Sequence, residues 1–173
     1  MAKVKPGRYT ARIEGDFVVF LIGMRVNRLW AVHKWLPVLQ AMGPMLKELY
    51  TNRKLGFRGT EFMVGWRSVH LLQYWDSYEQ LEEYARGGQH LHAWRNFNRK
   101  VGTDGTVGIY HETYKVRAGD YECVYGNMPV FGLAKVTEHI PATGRMETSR
   151  RRMGGENEPA VPTPANPHKG AHG

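Results

Sequence analysis

The 173-residue sequence predicts an α+β domain with the element order β-α-β-β-α-β. Two patterns carry that reading. Four short stretches rich in β-branched and aromatic residues are set off by turn-forming residues, as strands are. Between them lie two longer stretches whose apolar residues recur at helical spacing. This order is the split βαβ, or ferredoxin-like, arrangement, in which a four-stranded sheet carries both helices on one face.

The first strand is FVVFLIGMRV at residues 17–26, bounded by Gly15-Asp16 and Asn27. Residues 30–52 follow as a helix, with Val32, Trp35, Leu36, Leu39, Met42, Met45, Leu46 and Leu49 on its apolar face. Gly43-Pro44 should kink or split it, because proline lacks the amide donor and crowds the preceding turn. Residues 57–66 and 68–75 read as two strands with a turn at 65–67. In the second, Val69, Leu71, Gln73 and Trp75 face one way, and His70, Leu72 and Tyr74 the other. Ser77 and Gln80 have capping-box spacing and start a helix at 78–86. Gly87-Gly88 breaks it, and it resumes near His90 with Leu91, Trp94, Phe97 and Val101 on one side. VGIYHETYKV at 107–116 is the fourth strand, and residues 121–125 are expected to add a short fifth. From residue 142 the composition turns to glycine and proline with little to bury, so the expected division is a domain at 1–141 and a disordered tail at 142–173. A sheet apolar on both faces must cover the one its helices leave open, and a homodimer does so.

Composition narrows the function classes. With 42% hydrophobic and 23% charged residues the chain is an ordinary globular one. Cys123 is its single cysteine, which excludes an internal disulfide and a cysteine-built zinc site and fits a cytoplasmic location. Residues 1–16 are polar with mixed charge and do not read as a secretory signal. The longest apolar run, residues 17–24, is far short of the ~20 residues that span a bilayer, so no membrane partner is expected. The formal charge is +8, but the basic residues are scattered, and their one run, Arg150, Arg151 and Arg152, falls in the expected tail. No coherent phosphate-binding face results, and no nucleic-acid partner is expected. The sequence lacks H-E-x-x-H, G-x-G-x-x-G, a phosphate-binding loop and G-x-S-x-G, so hydrolase, kinase and dehydrogenase readings lose support, and no metal site is expected.

Several stretches carry a family resemblance: PGRYTARIEGDFVVFLIGMRVN at 6–27, WAVHKWLPV at 30–38, QYWDSYEQLEEYAR at 73–86 and VGIYHETYKVRAGDYECVYGNMP at 107–129. Over roughly residues 3–152 the chain resembles a bacterial family grouped with a fungal monooxygenase and with the antibiotic-biosynthesis-type monooxygenases. The resemblance implies a dimeric α/β barrel with a pocket between each sheet and its helices. In that superfamily the pocket hosts oxygenation without a prosthetic group, haem-dependent haem breakdown, or haem-dependent aldoxime dehydration. Fold alone does not choose among them.

The expected chemistry is that of a monooxygenase-like enzyme acting on a small aromatic or polycyclic substrate without a cofactor. His111 and Glu112, neighbours in a strand, point to opposite faces, and whichever enters the pocket is the general base. Arg25 and Trp94 would orient and stabilise the resulting anion. The alternative is a haem protein, for which the resemblance implies His90 as axial ligand, with His92 beside it. A third reading is a dimeric module that binds a small hydrophobic ligand without catalysis. For each of these side chains an ordinary structural role competes: a helix-capping or surface histidine, a surface carboxylate, a surface salt bridge. Trp35 reads as core and His33 as exposed, while His70 lies in the pocket or the dimer seam.

Overall fold

The computed structural model describes residues 2–156. In chain order its strands and α-helices are β1 (Lys5–Arg12), β2 (Phe17–Val26), α1 (Val32–Thr51), β3 (Phe57–Val64), β4 (Ser68–Trp75), α2 (Tyr78–Ala85), α3 (Gly88–Lys100), β5 (Val107–Val116), β6 (Tyr125–Met128), β7 (Glu138–Pro141) and α4 (Ser149–Arg152). Residues 17–115 make one compact unit, and the described residues on either side of them make a second.

The first unit has the expected ferredoxin-like order, with the second helix divided into α2 and α3. Its sheet runs β3-β4-β2-β5, and β4 pairs antiparallel with both β2 and β3. Register places Phe20 opposite Gln73 and Ile22 opposite Leu71. Alternation then sends Val18, Phe20 and Trp75 to one face, where they close a core with Leu49 of α1 and Leu81 and Tyr84 of α2. Met24, Val101 and Val107 form a second cluster, with Trp35 packed against it as expected.

Helix α1 was expected to split at Gly43-Pro44, yet it is assigned unbroken through both Pro37 and Pro44. Each proline removes one amide donor, but the apolar face packed on the sheet holds the rest of the helix in register. The Ser77 hydroxyl accepts from the Gln80 amide at 3.2 Å, as the capping box predicts. The break between α2 and α3 comes at Gly88, whose φ of +47° suits glycine and whose missing Cβ would lie 2.9 Å from a Glu48 carboxylate oxygen.

Lys34 of α1 bonds Asp104, whose carboxylate also accepts from the Thr106 amide and hydroxyl at 2.8 and 2.6 Å. These bonds hold the Asp104 carboxyl well below the usual carboxylate range. A depressed folded-state pKa contributes stability above the unfolded value that is lost as pH falls through the folded one. Asp104→Asn is therefore expected to lower the melting temperature at neutral pH, with the gap to the parent protein closing in strong acid.

In the second unit, β6-β1-β7 form an antiparallel three-stranded sheet. Strand β1 was not expected. Its sequence KPGRYTAR has three charges, a proline and a glycine, and its partners lie more than a hundred residues away, so pairing across the chain determines it. The short strand expected at 121–125 begins only at Tyr125.

Secondary structure continues past residue 141. Beyond it, Thr148 caps α4, accepting from the Arg151 amide at 3.3 Å. The Arg152 side chain, 8% exposed, donates from Nε to Glu122 at 2.7 Å and from Nη1 to the Met146 and Glu147 carbonyls at 2.8 and 3.0 Å. Ordered structure thus reaches Arg152. The proline-rich residues 157–173 of the expected tail lie outside the described residues. Removing one partner of a buried ion pair costs about 3–5 kcal/mol. Glu122 keeps a quarter of its side chain in water, so Arg152→Ala is expected to cost about 3 kcal/mol in urea unfolding.

Among the described residues no helix is long and apolar enough to cross a membrane, and no group of three or more potential metal ligands occurs.

Candidate functional site

Within the first unit, a cavity of about 500 Å³ opens between the sheet and the helices. Its floor is the helix-facing side of the sheet, with Phe20 and Ile22 from β2, Leu71 and Gln73 from β4, and Ile109, His111 and Thr113 from β5. Helix α1 lines one wall with Pro37, Val38, Met42 and Met45, and α3 contributes His90, His92, Trp94 and Phe97.

Four of the six candidate residues meet here: His111, His90, His92 and Trp94. The His111 ring lies 5.6 Å from the Phe20 ring, and among the described residues no group bonds its nitrogens. Trp94 stacks on Phe97 at 5.8 Å, so two aromatic planes of α3 are fixed together at the cavity. His90 approaches the Ala85 carbonyl at 2.8 Å through Nδ1. A carbonyl only accepts, so Nδ1 carries a proton, and among the described residues Nε2 has no bonded partner.

The other two candidates lie elsewhere. Arg25 is exposed, opposite Ser68 in register, and does not line the cavity. Counting along β2 puts it with Leu21 and Gly23 on the face away from the helices, so it does not join Trp94 at one anion. Glu112 is likewise exposed on the far face of β5, where it accepts a hydrogen bond from the Tyr114 hydroxyl and raises the phenol's pKa. Of the adjacent pair, His111 is therefore the one at the cavity. His33 is exposed as expected. His70 is on the far face too, bonded at 2.7 Å to both the Tyr110 and the Ser68 hydroxyls. That ring pair sits over Gly23, where a Cβ would come within 2.5 Å of Tyr110.

Charge in the lining is sparse. Glu82 is bonded to Arg86 at 2.6 Å. Lys100, the last residue of α3, has no bonded partner among the described residues. Burial and the nearby Glu48 push the Tyr84 phenol up, so it stays neutral, and its hydroxyl donates to the Met45 carbonyl at 3.4 Å.

One residue escaped the sequence reading. Gln73 is 5% exposed, and its Oε1 accepts from the Trp75 indole at 3.0 Å. The signal was the spacing Gln73-x-Trp75: a buried indole N–H needs an acceptor, and the residue two back on a strand shares its face.

The model of the family described as Monooxygenase af470-like matches residues 17–133, more than half of the chain. The chain belongs to this family. Monooxygenase af470 of Aspergillus fumigatus is 29% identical over 149 residues, an alignment taking in 73% of this chain and 53% of the fungal protein. The chain thus spans about half the length of that relative. Among solved structures, the aldoxime dehydratase OxdRE in complex with butyraldoxime superposes with a TM-score of 0.63 at 18% identity, over 79% of this chain and 43% of that one. That likeness is one of fold. SnoaB of Streptomyces nogalater, a cofactor-independent oxygenase, gives a TM-score of 0.43 at 11% identity, over 58% of this chain and 94% of that one.

Proposed function

We propose that this member of the Monooxygenase af470-like family oxygenates a small aromatic or polycyclic molecule in the cavity of its first unit, with His111 as general base and no prosthetic group. The observation that carries the reading is an imidazole, its nitrogens unbonded among the described residues, at the floor of an otherwise largely apolar cavity. Imidazole titrates near neutral pH and suits removal of a proton from a phenol or an acidic carbon. The resulting anion is electron-rich enough to react with dioxygen. When the carbon has two hydrogens, one oxygen atom enters as a carbonyl and the other leaves as water with those hydrogens. Trp94 and Phe97 offer the planar surface on which such a ring stacks. His92 and Lys100 place positive or polar groups along α3 for an acidic substituent. The test is oxygen consumption by the purified protein with anthrone and hydroxynaphthalenes. Substrate-dependent uptake supports the reading, and turnover unchanged in His111→Gln would sink it.

A second reading is favoured by His90. A histidine whose Nδ1–H is tied to a backbone carbonyl presents the neutral Nε2 that haem iron needs, and an apolar cavity of this size suits a flat macrocycle. His90 would then hold the iron, which would supply the ligand-binding and redox chemistry of the site, while His111 and Gln73 would contact the substrate. A Soret band on adding haem, abolished in His90→Ala, selects this reading.

We also infer a homodimer. In support, Phe62, Val64 and Trp66, in and just after β3, are 55%, 71% and 91% exposed, and β3 is an edge strand. Light scattering reads the mass directly.

A further inference from the structure

We propose that the far face of the first unit's sheet, turned away from the helices, carries a second reactive centre that cleaves small carboxylic esters with an acidic leaving group. Ser68 is its nucleophile, His70 the general base and Arg25 the partner of the developing oxyanion. None of the three lines the cavity.

Three strands build the centre. Ser68 and His70 are two apart on β4, so their side chains share a face, and His70 Nε2 lies 2.7 Å from the Ser68 hydroxyl. Across β2, His70 Nδ1 lies 2.7 Å from the Tyr110 hydroxyl of β5. With the ring proton on Nδ1, the Tyr110 oxygen accepts from Nδ1–H, and Nε2 accepts from the Ser68 hydroxyl. A hydroxyl bonded to an imidazole whose other nitrogen is held by a third group is the arrangement that activates a serine. Such a set is defined by geometry and roles, so no sequence motif announces it.

Two glycines make room for these bonds. A Cβ on Gly23 would come within 2.5 Å of the Tyr110 ring and 2.8 Å of His70 Nδ1, and one on Gly65 within 2.5 Å of the Ser68 hydroxyl oxygen. Neither glycine has a positive φ, so what each supplies is space. The Cβ position at Gly65 is also 3.7 Å from His70 Nε2, so the space left open there borders both reacting groups.

Arg25 of β2 is directly opposite Ser68 and has no bonded partner among the described residues. Opposite residues on one face have Cβ atoms about 5 Å apart, which brings an oxyanion formed at Ser68 within reach of the guanidinium. Ser68 and His70 are half-buried and Arg25 is exposed, so reagents can approach from solvent. An open sheet face grips little of a substrate, which limits the centre to small acyl groups and to leaving groups that depart as stable anions.

In the reaction, Ser68 Oγ attacks the ester carbonyl as His70 Nε2 takes its proton, and the carbonyl electron pair moves onto the oxygen beside Arg25. The bond to the leaving oxygen then breaks, the carbonyl re-forms, and the leaving group takes the proton from His70. Water, giving its proton to His70 in turn, hydrolyses the acyl-serine to the free acid.

The experiment treats the full-length protein with p-nitrophenyl acetate and, separately, with diisopropyl fluorophosphate, which phosphorylates an activated serine with loss of fluoride. Release of p-nitrophenolate is expected, with a label that peptide mass mapping places on Ser68. Ser68→Ala should lose both, and His70→Gln should slow both by about 10²–10⁴-fold. Arg25→Gln should slow hydrolysis about tenfold, less than loss of a buried oxyanion donor because water competes for the guanidinium. Tyr110→Phe frees Nδ1 and should lower kcat with KM unchanged, as loss of a positioning group does. An unlabelled Ser68 in the folded parent protein would overturn the proposal without any variant. Hydrolysis at the parent rate in folded Ser68→Ala would do the same, as would labelling at the parent rate in folded His70→Gln.

Discussion

His111→Gln is expected to slow turnover of an aromatic substrate about 10²–10⁴-fold, the usual worth of a positioned general base. Glutamine nearly matches the imidazole in size and can still donate and accept hydrogen bonds, but it cannot hold a proton at neutral pH. Substrate should therefore still bind, and the loss should fall on kcat rather than KM. Glu112→Gln is the matched control. Its side chain is on the opposite face of the same strand, bonded to Tyr114, so its rate should remain within about twofold of the parent's, well under the effect of losing a base. Oxygen-electrode kinetics on the two variants separate adjacent positions by the face each occupies.

Trp75→Ala is expected to cost about 4 kcal/mol in urea unfolding of the first unit, within the range for truncating a buried tryptophan. Trp75 has no solvent exposure and packs against Phe57 and Tyr84, with ring centroids 5.5 and 5.6 Å away. The space it vacates adjoins the cavity, so water can enter and meet Gln73, whose oxygen loses its indole donor. Trp75→Phe keeps most of the packing and should cost about 1 kcal/mol, the net worth of one hydrogen bond. It also unlocks the Gln73 amide, which is then free to turn over.

The four strands of the first unit and the division of its second helix were legible because each depends on local pattern: β-branched runs, helical spacing, a capping serine and a pair of glycines. The strand Lys5–Arg12 and the ordered segment around Arg152 were not, because a distant partner decides each one. Arg152 reads as part of a polar tail until Glu122 and two carbonyls are found around it. At the site, strand alternation separated His111 from Glu112 but left open which faced the helices. Arg25 was misread for the same reason, since its face depends on where α1 and α3 pack. Gln73 was overlooked because an amide between Leu71 and Trp75 looks like a break in an apolar face, and its meaning appears only when the indole fixes its direction.

The two sides of the cavity differ in stiffness. The floor is a sheet laced by strand-to-strand hydrogen bonds, and it carries Gln73 and His111. The facing wall is α1, where Pro37 and Pro44 leave the His33 and Gln40 carbonyls without their helical donors. Met42 and Met45, the most adaptable of apolar side chains, lie along that wall. Ligands of different bulk would then be absorbed by yielding of α1, while the polar atoms of the floor keep their spacing. Such a cavity is permissive about the outline of a molecule and strict about where its polar groups fall.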